Sequence, residues 1–203
     1  MYNCIFTGQC TDGYRCNPSC PILAQTSYLL ERNDIKMTNP VFKLSKEYID
    51  KCYDILDQSK GRIGTAIVSS GDFTNKAADA LTYCAIAENW KGSQLHCTVY
   101  NLNLSQYIDL VWGTWSHDTE SVAKLDQVNT WIKSAKVLII SNIDFMNFKD
   151  SQSREFLTLL QSRMSSECTT IVVSPPISSL VGDGQFFSKL TSILTRQKVG
   201  EGL

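Results

Sequence analysis

The sequence lacks a membrane-length apolar run, a surplus of either charge and a secretory signal. No stretch of 18 apolar residues occurs, and the start MYNCIFTGQC has neither a charged region nor an apolar segment of the secretory type. We therefore expect an unexported, cytoplasmic protein without membrane contact. The formal net charge is only −1, so nucleic-acid binding would depend on a local basic patch.

Histidine is also scarce, because His96 and His117 are the only two in the chain. Neither has a cysteine or carboxylate nearby at the spacing of a catalytic nucleophile pair. We interpret both as ordinary core or surface side chains, and we predict no catalytic residue.

The chain has enough apolar residues to form a core, because 43% of its 203 residues are hydrophobic. Apolar runs of strand length alternate with segments of helical periodicity after residue 62, some of the runs being apolar on both faces. This pattern predicts a three-layer α/β domain with a mainly parallel sheet over residues 63–203. Residues 22–62 are predicted as a helical connector, and residues 1–21 form a cysteine-rich segment. The predicted strands begin near residues 64, 95, 137 and 168; the predicted helices span 75–90, two stretches within 104–134, 151–165 and 184–196.

The cysteine-rich segment carries Cys4, Cys10, Cys16 and Cys20 in the pattern C-x5-C-x5-C-x3-C. Four thiolates this close together suit one tetrahedral Zn²⁺, and metal binding would fold a segment that has little apolar surface to bury. An iron–sulfur cluster uses the same ligands, and four reduced cysteines are a third interpretation. Contact with single-stranded DNA or RNA and docking to a protein both suit such a segment.

The other four cysteines are scattered along the chain, and we interpret them as small core residues: Cys52, Cys84, Cys97 and Cys168.

In a parallel sheet the chemistry lies at the carboxyl ends of the strands, which here are followed by the loops after Ser69, Ile140 and Val173. The first loop, SGDFTNKA, falls in the frame of a phosphate-binding loop, G-x-x-x-x-G-K-[ST], and keeps only the lysine, Lys76. Ser70 and Asn75 replace the glycines, and Ala77 replaces the magnesium-binding hydroxyl. A plain strand–turn–helix corner explains the same residues.

The second loop follows the apolar run VLII, at the place where P-loop ATPases carry Asp-Glu for magnesium and the attacking water. This chain has Ser141-Asn142 there, and Asp144 lies two residues further on. The third strand ends at Ser174, the position of a γ-phosphate sensor, although a serine is also common at a strand end.

These three segments in this order, GTAIVSSGDFTNKAADALTYCAIAENWKG, KVLIISNIDF and SREFLTLLQSRMSSECTTIVVSPP, resemble the ATPase core of the DnaC/DnaI/IstB group of AAA+ proteins. The resemblance covers residues 62–199 and implies a P-loop fold and, as partner, a replicative helicase or a transposition complex. Some members of that group carry a zinc-binding amino-terminal domain. Because the glycines, the hydroxyl and the acidic pair are absent, the resemblance implies a pseudo-ATPase in which Lys76 is a degenerate remnant and ATP is not a cofactor.

Two surface features complete the sequence analysis. Aromatic residues in YIDLVWGTW and Trp131 have helical spacing, which is typical of a core, with an exposed docking patch as the alternative. Basic and acidic residues interleave over 43–62, which indicates a solvated helix face rather than a nucleic-acid contact.

Three functions remain open on the sequence. The first is a non-catalytic adaptor for a nucleic-acid machine, the second is an ATPase with an atypical phosphate loop, and the third is a zinc-dependent single-stranded nucleic-acid-binding protein. The sequence leaves the oligomeric state open.

Overall fold

A computed structural model of the chain describes residues 45–68, 74–91, 94–95, 98–116, 119–201 and 203. Within these residues, the main sheet has five strands in the spatial order β2-β3-β4-β1-β5, and every pairing is parallel. The fold is therefore the predicted α/β type with a parallel sheet. The strands are β1 (Ile63–Ile67), β2 (Val99–Asn103), β3 (Val137–Ser141), β4 (Thr169–Ser174) and β5 (Lys198–Glu201).

Helices connect these strands and cover both faces of the sheet. They are α1 (Lys46–Gln58), α2 (Thr74–Glu88), α3 (Leu104–Trp115), α4 (Thr119–Ser134), α5 (Asp150–Met164) and α6 (Gly184–Arg196). Two ribbons of two-residue strands accompany them. One pairs Trp90–Lys91 with Gln94–Leu95 in antiparallel fashion, and the other pairs Asn147–Phe148 with Val181–Gly182 in parallel.

The core divides into two clusters because successive strand residues point to opposite faces of the sheet. Ile139 joins the cluster beneath α1 and α2, whereas its neighbours Leu138 and Ile140 join the cluster beneath α3 to α6. All three side chains are fully buried. Both faces of β3 are thus covered by helices, which explains why this strand is a continuous apolar run in the sequence.

Local capping contacts fix where several helices begin. The Ser45 side chain accepts a hydrogen bond from the Tyr48 amide at 3.2 Å, and Asn103 does the same for Gln106 at 3.2 Å. These side chains satisfy amide groups that the first turn of a helix leaves without partners. Asp150 caps a helix other than its own, because its Oδ1 accepts a hydrogen bond from the Phe186 amide of α6 at 3.1 Å.

One buried arginine joins the amino-terminal edge of the sheet to the helices. Arg163 of α5 is only 3% exposed. Its guanidinium donates to the carbonyls of Ile132, Ala135 and Thr169 at 3.1, 2.7 and 3.0 Å, and to the Thr170 hydroxyl at 3.0 Å. A single side chain thereby ties the end of α4 to the start of β4.

The topology makes the carboxyl ends of β1 and β4 the place where a ligand crevice is expected. These strands are neighbours, but α2 follows β1 over one face of the sheet and α6 follows β4 over the other. Open α/β sheets bind ligands at such a point, where successive connections leave on opposite faces.

The predicted bounds agree closely for strands β1, β3 and β4 and for helices α2 to α6, but β5 was not predicted and the start of β2 differs. The predicted strand began near residue 95, whereas β2 begins at Val99, and His96 and Cys97 lie outside the described residues. In the described part of the chain, no helix is both long enough and apolar enough to cross a membrane.

Candidate functional site

The carboxyl edge of the sheet brings the predicted strand-end serines together. Ser141 ends β3 and Ser174 ends the adjacent strand β4, as predicted. The Val68 amide donates to the Ser174 carbonyl at 2.9 Å, so β1 reaches the same edge. Ser69 lies outside the described residues.

The remaining lysine of the phosphate-loop frame lies in the first turn of α2. Residues 69–73 lie outside the described part of the chain, and α2 begins at Thr74. Lys76 is half-buried, and Ala77, at the position of the magnesium-binding hydroxyl, is fully buried in the core. No hydroxyl therefore points from residue 77 towards the crevice.

Helix α1 contacts this lysine through Tyr48. The Lys76 Nζ lies 6.0 Å from the centroid of the Tyr48 ring, at the outer limit of a cation–π contact. The Tyr48 hydroxyl is buried without a hydrogen-bond partner among the described residues, and burial raises the pKa of this phenol. The lysine that would meet a phosphate in an active ATPase thus has a neutral aromatic ring beside it.

The acidic-pair position is occupied by two side chains that the protein uses internally. Ser141 is 5% exposed, and its hydroxyl bonds to the Asn101 side chain at 3.1 Å and donates towards the Leu102 carbonyl at 3.3 Å. Asn142 adopts a left-handed backbone conformation with φ of 60°. The strand end therefore presents no carboxylate at either residue, and serine and asparagine are neutral.

Two further predicted positions can be placed at this edge. Asp144 lies in a short 3₁₀ turn, Ile143–Phe145, just beyond the acidic-pair position. Ser174 is fully buried, and its hydroxyl donates to the carbonyl of Pro175 at 2.8 Å. The sensor position is therefore already hydrogen-bonded within the chain.

The structure does not describe the predicted metal ligands, because Cys4, Cys10, Cys16 and Cys20 lie outside the described residues. In the part that is described, no group of three or more histidine, cysteine, aspartate or glutamate side chains could hold a metal ion. Cys52 and Cys84 are buried in the core, as predicted, and Cys168 is half-buried.

The mixed charges of α1 behave as a solvated face, as predicted. Lys46 pairs with Asp50 at 2.7 Å, and Lys60 lies 2.8 Å from Asp57 and 3.1 Å from Glu88. Hydrogen bonds to these two carboxylates raise the pKa of Lys60. These cations are engaged by carboxylates and are poorly suited to binding phosphates.

A cavity of about 230 Å³ lies at the opposite edge of the sheet, where Val137 and Thr169 begin β3 and β4. Lys60, Glu88 and Cys168 are among its lining residues. It is separated from the crevice by the length of the strands, so it is not part of the candidate site.

The prediction that the aromatic residues of α3 belong to the core was wrong for two tryptophans. Trp112 and Trp115 are 37% and 63% exposed. Trp131 is half-buried and its ring centroid lies 5.4 Å from that of Tyr100. Helical spacing placed the aromatics on a helix but did not reveal which face of it another element would cover.

A five-stranded parallel sheet in this order is a P-loop-NTPase-like fold, and several solved structures of DnaA share it. One neighbour is the replication initiator DnaA bound to AMPPCP and single-stranded DNA, with a TM-score of 0.54 and 15% identity over 76% of this chain and 44% of that one. Another is domain III of DnaA from Thermotoga maritima, with a TM-score of 0.55 and 14% identity over 80% of this chain and 65% of that one. DnaA from Aquifex aeolicus bound to AMPPCP gives a TM-score of 0.52 and 13% identity over 76% and 44%.

These neighbours share the α/β fold of this chain. No protein-family model matches the sequence, and no curated protein matches it. The chain spans 44% of the length of the first two DnaA structures that it matches.

Proposed function

We propose that this chain is a non-catalytic AAA+-like adaptor that docks onto a nucleic-acid machine such as a replicative helicase or a transposition complex. The observation that carries the proposal is the carboxyl end of β3. Ser141 is buried and hydrogen-bonded within the chain, and Asn142 is neutral, at the two positions where an ATPase needs carboxylates.

The loss of these groups decides the energetics of nucleotide binding. Without carboxylates at residues 141 and 142 or a hydroxyl at residue 77, Mg²⁺ has none of its usual protein contacts and cannot offset the charge of a triphosphate. Lys76 alone would contribute about 1–3 kcal/mol as a charged hydrogen-bond donor. Micromolar affinity needs about 8 kcal/mol, so we expect no ATP binding below millimolar concentration and no hydrolysis.

Calorimetry and thermal unfolding with Mg·ATP test this expectation. A ligand that binds only the folded chain must raise its unfolding temperature, so we expect no shift for the natural chain or for Lys76→Ala. Micromolar affinity that disappears in Lys76→Ala would contradict the proposal and would favour the atypical ATPase. That alternative draws its support from the lysine and from the AMPPCP bound to two DnaA neighbours.

The choice of partner rests on the fold and on the resemblance to helicase loaders. All of the structural neighbours named above are replication initiators, and a fold that keeps the ATPase layout without its ligands suits a docking role. Cross-linking in the cell of origin, followed by mass spectrometry, should recover a helicase or transposition protein. Reconstitution of that complex with purified Lys76→Ala should give unchanged affinity, because docking does not need the degenerate site.

Zinc binding by Cys4, Cys10, Cys16 and Cys20 is part of the proposal, as a structural element that presents the docking segment. A zinc-dependent single-stranded nucleic-acid-binding role is the second candidate, since one DnaA neighbour was solved with single-stranded DNA. Removal of zinc by a chelator separates the two, because it should abolish binding to a labelled oligonucleotide if the cysteine segment holds the strand. Binding that falls steeply with salt would mark phosphate contacts.

A further inference from the structure

Two buried cysteines meet between helices α1 and α2. Cys52 of α1 and Cys84 of α2 are fully buried, belong to the same cluster of the core and are both free thiols. The Cys84 thiol is hydrogen-bonded with the Cys52 thiol. A thiol is a weak donor and a weak acceptor, so this contact adds little stability. It does place two sulfur atoms side by side, on two different helices.

Contacts at both ends show that α1 and α2 run side by side in the same direction. Near their starts, the Lys76 Nζ of α2 lies 6.0 Å from the centroid of the Tyr48 ring of α1. Just beyond the end of α1, the Lys60 Nζ lies 3.1 Å from a carboxylate oxygen of Glu88, the last residue of α2. The interface between the two helices therefore extends over their whole length.

Both cysteines lie on the sides of their helices that form this interface. Tyr48 and Cys52 are four residues apart on α1, and Cys84 and Glu88 are four residues apart on α2. Residues at this spacing lie on one side of a helix. Each cysteine thus shares a helix side with a residue that contacts the other helix, which agrees with the thiol contact.

Small side chains let the two helices approach closely at this point. Ala77 and Ala80 of α2 are fully buried, and they precede Cys84 by about one and two helical turns. The distance between packed helices depends on the side chains at the contact. A disulfide needs Cα atoms about 4.4–6.8 Å apart, a separation that bulky neighbours would prevent.

The pair reacts slowly while α1 is docked. The hydrogen bond with Cys52, burial and the Glu88 carboxylate raise the pKa of the Cys84 thiol, and the thiolate is the reactive form. Helix α1 itself buries Cys52, Ile55 and Leu56. An element with so few buried side chains opens at a lower free energy than the whole domain, and its opening exposes both thiols to small molecules.

We propose that Cys52 and Cys84 form a reversible disulfide that fastens α1 to the core, with a small-molecule disulfide such as oxidised glutathione as the oxidant. When α1 opens, one cysteine thiolate attacks the oxidant and releases a glutathione thiolate, which takes up a proton. The other cysteine thiolate then attacks the protein sulfur of the mixed disulfide, and the second glutathione leaves. Two protein thiols are oxidised, and one small disulfide is reduced to two thiols.

The bond acts on the connection between two parts of the chain. Helix α1 follows the cysteine-rich segment in the sequence and precedes β1. A disulfide to α2 holds α1 in its docked position and so fixes where the chain enters the α/β domain at Ser45. This site goes beyond the adaptor role and depends neither on nucleotide nor on a protein partner.

Tryptic mapping of the full chain tests the bond directly. The folded chain is equilibrated overnight with oxidised glutathione, then unfolded, alkylated and cleaved. Trypsin cleaves after lysine and arginine, so Cys52 and Cys84 fall in separate peptides, 52–60 and 77–91. We expect these two peptides to be joined by a bond that a reductant removes. Recovery of both cysteines only as alkylated thiols or as separate glutathione adducts would overturn the proposal.

Thermal unfolding measures what the bond does to the fold. It closes a loop of about 30 residues, so the oxidised chain should unfold about 5–12 °C above the reduced chain. Cys84→Ala keeps every other cysteine and receives the same treatment, and it should show no rise. An equal rise in this control would assign the effect to other cysteines and would refute the pair. The tryptic map of the natural chain does not depend on the folding of the variant.

Hydrogen exchange tests whether the bond holds α1 in place. In the reduced chain the amides of α1 should exchange faster than those of α5, because α1 opens locally. Oxidation should slow exchange in α1 at least tenfold, and the reductant should restore it. Unchanged exchange in α1 of the oxidised chain would show that the helix opens without separating the two cysteines, which would exclude the proposed fastening.

Discussion

Arg163 should be among the most important single side chains for the stability of the fold. Its guanidinium is buried and serves three carbonyls and one hydroxyl that belong to two separate parts of the chain. Replacing it with methionine keeps much of the apolar stem but removes the guanidinium hydrogen bonds to the carbonyls of Ile132, Ala135 and Thr169. A buried polar group without a partner costs about 1–3 kcal/mol.

The loss of these hydrogen bonds is partly offset. Burying the Arg163 charge costs several kcal/mol in desolvation, and Arg163→Met removes that cost. We expect Arg163→Met to lower the free energy of unfolding by about 2–4 kcal/mol, out of the 5–15 kcal/mol typical of a domain. The free energy of unfolding of Arg163→Lys should lie between those of the natural chain and Arg163→Met. One compact ammonium cannot reach acceptors beside both α4 and β4 as the planar guanidinium does.

Urea unfolding followed by circular dichroism measures these differences, and an unchanged slope with a lower midpoint indicates a pure stability effect. Arg154→Met is the matched control, because Arg154 belongs to the same helix but is exposed, and its guanidinium lies over the Phe186 ring. It should cost less than about 1 kcal/mol. If Arg163→Met costs no more than this control, the four hydrogen bonds do not stabilise the junction and the reasoning fails.

Three other substitutions test separate parts of the molecule. Gly64→Ala should destabilise the fold by about 1–3 kcal/mol in the same urea assay, because a Cβ would overlap the Ser59 side chain and lie 2.9 Å from Val199; a loss under 0.5 kcal/mol would contradict the tight packing. Asn142→Val should cost about 1–2 kcal/mol while Asn142→Gly costs little, because only the valine is strained at φ of 60°, and equal losses would show that the backbone conformation is not the cause. Purified chain should contain one zinc that Cys10→Ser removes, and metal analysis finding no zinc in the natural chain would exclude the zinc segment.

The central strands β3 and β4 were predictable from the sequence because they are buried on both faces, whereas the edge strand β5 is only partly buried and was not predicted. The runs at β3 and β4 have too few polar residues for any other interpretation, and their helices α5 and α6 begin and end within a residue or so of the predicted bounds. The start of β2 was less certain because polar residues alternate there, and no strong apolar signal fixes the register before Val99.

Contacts between distant segments were not predictable. The helix that carries Arg163 was predicted, but the carbonyl acceptors of this side chain at Ile132 and Ala135 lie 31 and 28 residues earlier and meet it only in the folded chain. The exposure of Trp112 and Trp115 likewise depends on which distant elements pack against α3, and this is settled only in the folded chain. The interval between Lys91 and Lys124, which contains no lysine or arginine, was visible in the sequence.

The ATPase residues that this chain shares and those that it lacks lie in different parts of the fold, and this difference bears on its function. The residues that resemble an ATPase are those of the strands and helices, which the core requires whether or not nucleotide binds, as Ala66 and Leu138 illustrate by their complete burial. The residues that differ are at the carboxyl edge, where an active ATPase must place groups that are costly to leave without a ligand. Ser141 and Ser174 fill two of those positions with hydroxyls that find partners inside the protein. These two hydroxyls therefore need no ligand to complete their hydrogen bonds, whereas the buried Oδ1 of Asn142 has no hydrogen-bond partner among the described residues.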